Sequence, residues 1–436
     1  MSDDVVKLSH PWVEDVIGNI GIVTVGGTPR TSIEKYWGGD VPWMASGDIH
    51  EKRITDVPTR ITELGLRHSN ATMVDPPAVA IGLAGQGKTR GTVALVLSRL
   101  CTNQSVALVK TDPTVLDVEY LFYNLEFRYD ELRSRSAGDG RAGLTKTLIE
   151  QVPVPLPPLP EQTKIAEILA TLDRAIERTE ALIAKEQRIK TGLMQDLLTR
   201  GIDEHGRIRS EQSHRFKDSA LGRIPAEWGV HLLDGLAIRG SGHTPNKSRP
   251  DYWNGGIKWV SLADSSALDN VLISETDKEI SSLGLKNSSA VLHPKGTVIL
   301  SRDAGVGKSA ILGDTMAVSQ HFMAWRCKPH KLDNYYLYYW LQRDKPRFEG
   351  IAAGSTILTI GLQFFREYQI AIPQLVEEQQ QISSVLSHAD GNIQQFIAGL
   401  QKLRSLKAAL MQDLLTGKRR VSALLESEPK RERLYA

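Results

Sequence analysis

Gly82 to Thr89 reads GLAGQGKT and satisfies the phosphate-loop pattern GxxxxGK[ST]. That chemistry needs a helix directly after the loop, because the first N–H groups of the helix hold the phosphates. RGTVALVLS follows instead, a β-branched strand pattern, so the segment reads as a tight glycine-rich turn between two strands. Its lysine could still meet a phosphate of another molecule. A similar stretch, RDAGVGKS, has Arg302 where the first glycine would stand. GDGRAG, from Gly138 to Gly143, matches GxGxxG, but a dinucleotide loop follows a strand and a helical pattern precedes this one. DPPA, from Asp75, is like the DPP[YF] of adenine methyltransferases, yet Ala78 replaces the stacking aromatic. The 11 histidines show no HExxH and no metal spacing, and His243 and His321 read as loop or surface residues. No nucleophile elbow supports Ser/His/Asp catalysis. Such a chain reads as a binder rather than an enzyme.

The elements that must carry any binding residues are written twice. TPRTSIEKYWGGDVPWMASGD from Thr28 matches TPNKSRPDYWNGGIKWVSLAD from Thr244 at an offset of 216, without a gap. The pairs include Thr28/Thr244, Pro29/Pro245, Tyr36/Tyr252, Trp37/Trp253, Trp43/Trp259 and Asp48/Asp264; Trp12/Trp228 and Leu121/Leu337 keep the same offset. PEQTKIAEILATLD from Pro160 matches EEQQQISSVLSHAD from Glu378 at 217, and MQDLLT from Met194 recurs from Met411. Internal repetition of this kind dictates the architecture: globular, long helix, globular, long helix.

In the helical segments Ile165, Ile168, Leu172, Ile176, Thr179, Ile183, Ile189, Leu193 and Leu197 fall mostly three or four apart, and Ile382 to Leu414 repeat the pattern. That is a coiled-coil seam. Proline-rich VPVPLPPLPEQ starts the first helix, and Gly201 and Gly417 end the two. Neither helix can hide its seam alone, and a whole domain separates them, so they are expected to pack antiparallel. The globular parts show hairpin patterns (PAVAIGL and GTVALVL, then GTVILS and SAILGD) and one aromatic helix each, from Glu119 and from Asn334. The repeated tryptophans are expected to build the shared core.

Composition sets outer bounds. The 436 residues allow two to four domains; 41% are hydrophobic and 24% charged, which excludes global disorder. Two cysteines, Cys101 and Cys327, exclude a disulfide framework. No apolar run is long enough to cross a membrane and the N-terminus lacks a signal-peptide pattern, so the expected location is cytoplasmic. Net charge is +2, which excludes a uniformly basic nucleic-acid coat but leaves room for a local one.

On the doubled Thr-Pro/Tyr-Trp/Trp segments, the PLPPLPEQ entry from Pro155, the two MQDLLT ends and FKDSALGRIPAEW from Phe216, the chain resembles the specificity subunit of type I restriction-modification systems. The resemblance covers nearly all of the chain. It implies an α+β fold: two pseudo-repeated mixed α/β target-recognition domains joined by two long antiparallel coiled-coil helices. The expected parts are target-recognition domain 1 (1–155), a central spacer helix (156–200), a linker (201–222), target-recognition domain 2 (223–373), a distal helix (374–417) and a charged tail (418–436). It further implies that each domain reads one half of a bipartite, asymmetric double-stranded DNA target. The helices would set the gap and dock two methyltransferase subunits, with two restriction subunits completing the complex. S-adenosylmethionine, ATP and Mg²⁺ would sit on those partners and none in this chain, which would contribute no catalytic residue.

Base reading needs Arg, Lys, Asn or Gln at base edges, and phosphate contacts need Lys, Arg or backbone N–H groups. The expected DNA-binding residues in loops of domain one are Arg30, Gln86, Lys88, Arg90, Asn103, Gln104, Arg141 and Lys146. In domain two they are Asn246, Lys247, Arg249, Arg302, Lys308, Gln320 and His321. Lys88 and Lys308 follow corresponding glycines at an offset of 220 and are expected to be equivalents; Gln104 pairs with Gln320. Competing readings are a P-loop NTPase with a helical arm, a coiled-coil scaffold that reads no DNA, and a self-sufficient methyltransferase.

Overall fold

The computed structural model of the chain describes residues 12–85, 87–135, 143–353 and 359–427. It forms two compact units, Met1–Glu180 with Gly399–Ala436, and Ala181–Ala398. Each unit therefore combines one globular domain with part of each long helix. Four helices frame the argument: α1 (Val118–Phe127), α2 (Leu159–Arg200), α3 (Asn334–Arg343) and α4 (Val376–Leu415).

The first domain holds a five-stranded sheet in the order Gly21–Val25, Val106–Thr111, Ala78–Gly82, Val93–Val96, Arg53–Ile54. Only the last pairing is parallel. A smaller sheet orders Arg60–Ile61, Trp37–Met44, Cys101–Thr102. The second domain repeats this order strand for strand: Ala237–Ser241, Phe322–Cys327, Val298–Ser301, Ser309–Leu312, Leu272–Ile273. Its smaller sheet gains a fourth strand, Leu292–His293, where the first domain has a single bridge, Val74 to Leu100. The central strands are fully buried and, apart from Ser301 and Ser309, apolar on both faces, as suits strands covered on both sides.

Both long helices exist at the expected places and end on Gly201 and Gly417, whose φ values of 62° and 72° suit a glycine at a helix stop. Within the first unit Asp173 of α2 meets Lys407 of α4, and Glu180 meets Arg404, so the two segments run antiparallel there. Within the second unit Lys190 pairs with Asp390 and Ile202 N, just past α2, donates to Glu378, which gives the same sense. The helix seam is shared with the domains. Ile165 and Leu169 bury with Met411, Leu414 and aromatic residues of α1, and Leu197, Ile382 and Leu386 bury with aromatic residues of α3. Midway, Leu182 and Ile189 stay about 41% exposed.

Two expectations need correction. The aromatic stretch from Glu119 is two helices broken at Arg128, whose guanidinium binds Glu131 and the Pro153 carbonyl. Residues 201–222, expected as an aperiodic linker, are folded. Arg209 is buried against Glu378 (2.5 Å), and Phe216–Ser219 forms a hairpin with Gly222–Pro225. The linker reading failed because a short polar hairpin held by ion pairs has no hydrophobic period. Beyond α4, Arg420 pairs with Glu161 (2.5 Å) and a short helix covers Ser422–Ser427.

Candidate nucleic-acid interface

In both domains the Thr-Pro loop is fixed by the same contacts. Trp43 Nε1 donates to the Gly27 carbonyl (2.9 Å), and Trp259 Nε1 to that of His243 (3.1 Å). Trp37 Nε1 donates to the Arg30 carbonyl and Trp253 Nε1 to that of Asn246, each at 3.3 Å. The indoles of each pair meet edge-to-face at 5.2 Å. The tryptophans thus pack as expected and also hold the loop by its backbone. Gly26 and Gly242 let that loop cross the short strand beneath. A Cβ would stand 1.9 Å from the Thr102 carbonyl oxygen in one case and 1.6 Å from that of Val318 in the other.

The loop then joins its neighbours through a repeated chain of bonds. Thr28 Oγ1 donates to Gln104 Oε1, and Thr244 Oγ1 to Gln320 Oε1 (2.6 Å). Leu83 N donates to the Ser105 carbonyl and Leu144 N to that of Leu83; Arg302 N donates to the His321 carbonyl and Ile360 N to that of Arg302. The loops around residues 28, 83, 104 and 144, and those around 244, 302, 320 and 360, are therefore gathered at one edge of their domains. This juxtaposition brings Arg30, Asn103 and Gln104 onto adjoining loops with the Lys88/Arg90 hairpin and the Lys146 helix. It likewise gathers Asn246, Lys247, Arg302, Gln320 and His321.

Several expected readers have other work. Arg302 is a strut: its Nη1 donates to the Ile360 carbonyl (3.1 Å) and its Nε to that of Gln320 (3.3 Å). Lys308 Nζ donates to the Ser265 carbonyl (3.0 Å). The Asn246 and Asn103 side chains accept from the backbone N–H two residues on, both at 3.0 Å. Arg249 pairs with Asp251 (2.7 Å) and lies over Tyr252. Lys146 is exposed beside Glu150 (3.6 Å). Arg30, Lys88, Gln104, Lys247 and Gln320 are exposed, and Arg90 is half-buried. Gln86 and Arg141, with all of the GDGRAG motif except Gly143, lie outside the described residues.

The Lys88–Lys308 equivalence is overturned. Gly91 N donates to the Gly82 carbonyl as Gly307 N does to that of Ser301, and Gly82 N donates to Thr92 as Ser301 N does to Lys308. Lys308 is thus the counterpart of Thr92, and Gly82 of Ser301 rather than Arg302. The hairpin of domain one is three residues longer, from Gly82 to Gly91 against Ser301 to Gly307. A matching GK dipeptide masked that difference. The phosphate-loop segment itself joins two antiparallel strands.

In domain two a cleft of about 550 Å³ opens beside these loops, lined by Lys247, Trp253, Trp259, Gln320 and His321, with Lys278 on its wall. Lys278 escaped the sequence reading because it sits on a short strand, Lys278–Ile280, rather than in a loop. His321 Nδ1 donates to Asp303, which also accepts from Thr359 Oγ1.

Each domain is tied to its long helices by a second repeated set. Lys407 Nζ pairs with Asp173 (2.7 Å) and Glu126 (2.9 Å), and Tyr123 OH donates to Asp173 (2.8 Å). In the second unit Lys190 pairs with Asp390 (2.5 Å) and Tyr339 OH donates to it (2.8 Å). The positive charges of Lys407 and Lys52, working against the penalty of burial, hold the Glu126 carboxyl below its usual range. Buried Gln162 and Gln379 each accept from the backbone N–H that caps the aromatic helix, Asp117 and Asp333, at 2.9 Å. Apart from Glu126 and Lys52, where the second copy has Gln342 and Leu268, these residues keep the 216 or 217 offset, which was the available signal.

The chain matches the model of the family described as "Type I restriction modification DNA specificity domain" twice, over residues 10–186 and 225–402. It belongs to that family. It is 27% identical over 355 residues to the type I restriction enzyme MjaVIII specificity subunit of Methanocaldococcus jannaschii, spanning 78% of this chain and 79% of that protein. Its fold is like that of the type I restriction-modification S subunit from M. genitalium, with a TM-score of 0.60 at 12% identity, over 94% of this chain and 97% of that one. A chain from a structure of type I restriction-modification complex assembly gives 0.57 at 18% identity, over 93% and 97%. The expected fold, two repeated mixed domains with two long helices, is the observed one. Among the described residues, no helix is long and apolar enough to cross a membrane.

Proposed function

We propose that this chain is the non-catalytic DNA-reading subunit of a type I restriction-modification complex. Each globular domain reads one half of a split double-stranded target in the major groove, and the helices set the unread gap. The helices also dock two methyltransferase subunits, and two restriction subunits complete the assembly. S-adenosylmethionine, ATP and Mg²⁺ belong to those partners. The reading is carried by one observation: the two domains share their main-sheet order and the bonds that gather the loops, yet differ in side chains at the gathered loop edge. Arg30 stands where domain two has Asn246, and Ser105 where it has His321. A pseudo-twofold reader of two unlike half-sites needs that combination.

The test is insertion and exchange. Four residues added to the exposed middle of α2, near Leu182, lengthen the helix by about 6 Å, close to two base pairs. The gap should grow and both halves should stay the same. Replacing domain one by that of a relative should change one half only. An insertion that altered base preference would contradict the ruler role.

A further inference from the structure

Domain two holds a polar chain that domain one lacks. Gln320 Oε1 accepts from Thr244 Oγ1 at 2.6 Å, which turns the amide N–H groups the other way. One of them lies 3.5 Å from His321 Nε2, a long contact. His321 Nδ1 faces the Asp303 carboxylate and so carries a proton, and the Gln320 amide nitrogen faces Nε2, an arrangement that fits the Nδ1–H tautomer with the Nε2 lone pair as acceptor. Asp303 is fixed in turn by Thr359. Lys247 and Lys278 line the same cleft and supply positive charge for a phosphate backbone.

The result is a preset amide donor beside a preset imidazole acceptor, both opening into the cleft. In the major groove adenine offers N7 as acceptor and N6–H as donor. Resting on the DNA-reading role above, we propose that Gln320 and His321 read the edge of one adenine in the half-site of domain two. The Gln320 amide donates to N7 and His321 Nε2 accepts from N6–H, replacing the long contact between the two side chains. Asp303 and Thr244 are positioning residues. Domain one keeps the Thr28–Gln104 pair, but its hydrogen-bond register puts Ser105 in place of His321, Ala84 in place of Asp303 and Gly143 in place of Thr359. It therefore has no counterpart of this pair.

The test is selection of bound duplexes from a randomised pool by the full chain together with its methyltransferase subunit. The wild-type chain should select a split motif with an invariant adenine in the half belonging to domain two. His321→Ala, which removes one of the two bonds of a bidentate base contact, should relax that one position by about threefold to tenfold and leave the other half unchanged. Asp303→Ala should relax the same position by less. Because a variant could misfold, the wild-type complex is also measured on DNA carrying 7-deazaadenine, which lacks N7, at each adenine of that half. Binding should fall by a similar factor at one adenine only. A wild-type motif with every adenine tolerant of 7-deazaadenine, or unchanged in His321→Ala, would overturn the pair. Absence of any wild-type motif would instead overturn the DNA-reading role and the pair with it.

Discussion

Arg30 and Arg302 stand on loops at corresponding edges, and their side chains do different things. Arg302 links two backbone carbonyls of neighbouring loops, whereas Arg30 is exposed and held only through its own carbonyl. Hydrogen bonds from a charged group contribute about 1.5–3 kcal/mol when buried, and less at half-buried Arg302, where water competes for both carbonyls. Arg302→Ala is therefore expected to lower unfolding stability by about 1–3 kcal/mol. Arg30→Ala should change stability by less than about 0.5 kcal/mol and weaken DNA binding. Urea unfolding beside a duplex-binding assay separates the two, and equal stability losses would remove the distinction. Sequence alone treats both as loop cations because nothing in one chain shows where a long side chain ends. Repetition was the better guide. Gln104 and Gln320 share an offset and share a threonine partner, while Lys88 and Lys308, matched by a dipeptide across hairpins of unequal length, do not correspond.

The helices were legible from apolar spacing, proline entry and glycine exit, and the hairpins from β-branched runs between turn residues. What escaped was the attachment of domain to helix. Tyr123, Asp173 and Lys407, with their counterparts Tyr339, Asp390 and Lys190, read as amphipathic surface, since charges on a helix are usually solvated. Burial makes them locks. Lys407 is 8% exposed and meets two largely buried carboxylates, so its removal leaves Asp173 with only the Tyr123 hydroxyl and Glu126 with only Lys52. Lys407→Ala should cost about 3 kcal/mol. Lys190 meets one carboxylate and its side chain is 20% exposed, so Lys190→Ala should cost about 1 kcal/mol. Denaturant unfolding of the full chain measures both, and a Lys190 effect as large as that of Lys407 would contradict this account of the two locks.

For the molecule as a whole, near-neutral net charge (+2) argues that DNA is met by local patches rather than by a general field. Doubling explains why so much of the architecture was readable: each strand order and helix lock is written twice, and two weak signals at one offset make a strong one. The side chains that differ between the two gathered loop edges, such as His321 against Ser105, are written once each, so no repetition flags them. The most direct measurement is adenine methylation across the genome of cells expressing this chain with its methyltransferase subunit, against cells lacking only this chain. The account predicts a split motif of two short unequal halves in the first and none in the second. Methylation by an active partner that showed no such motif, or the same motif without this chain, would contradict it.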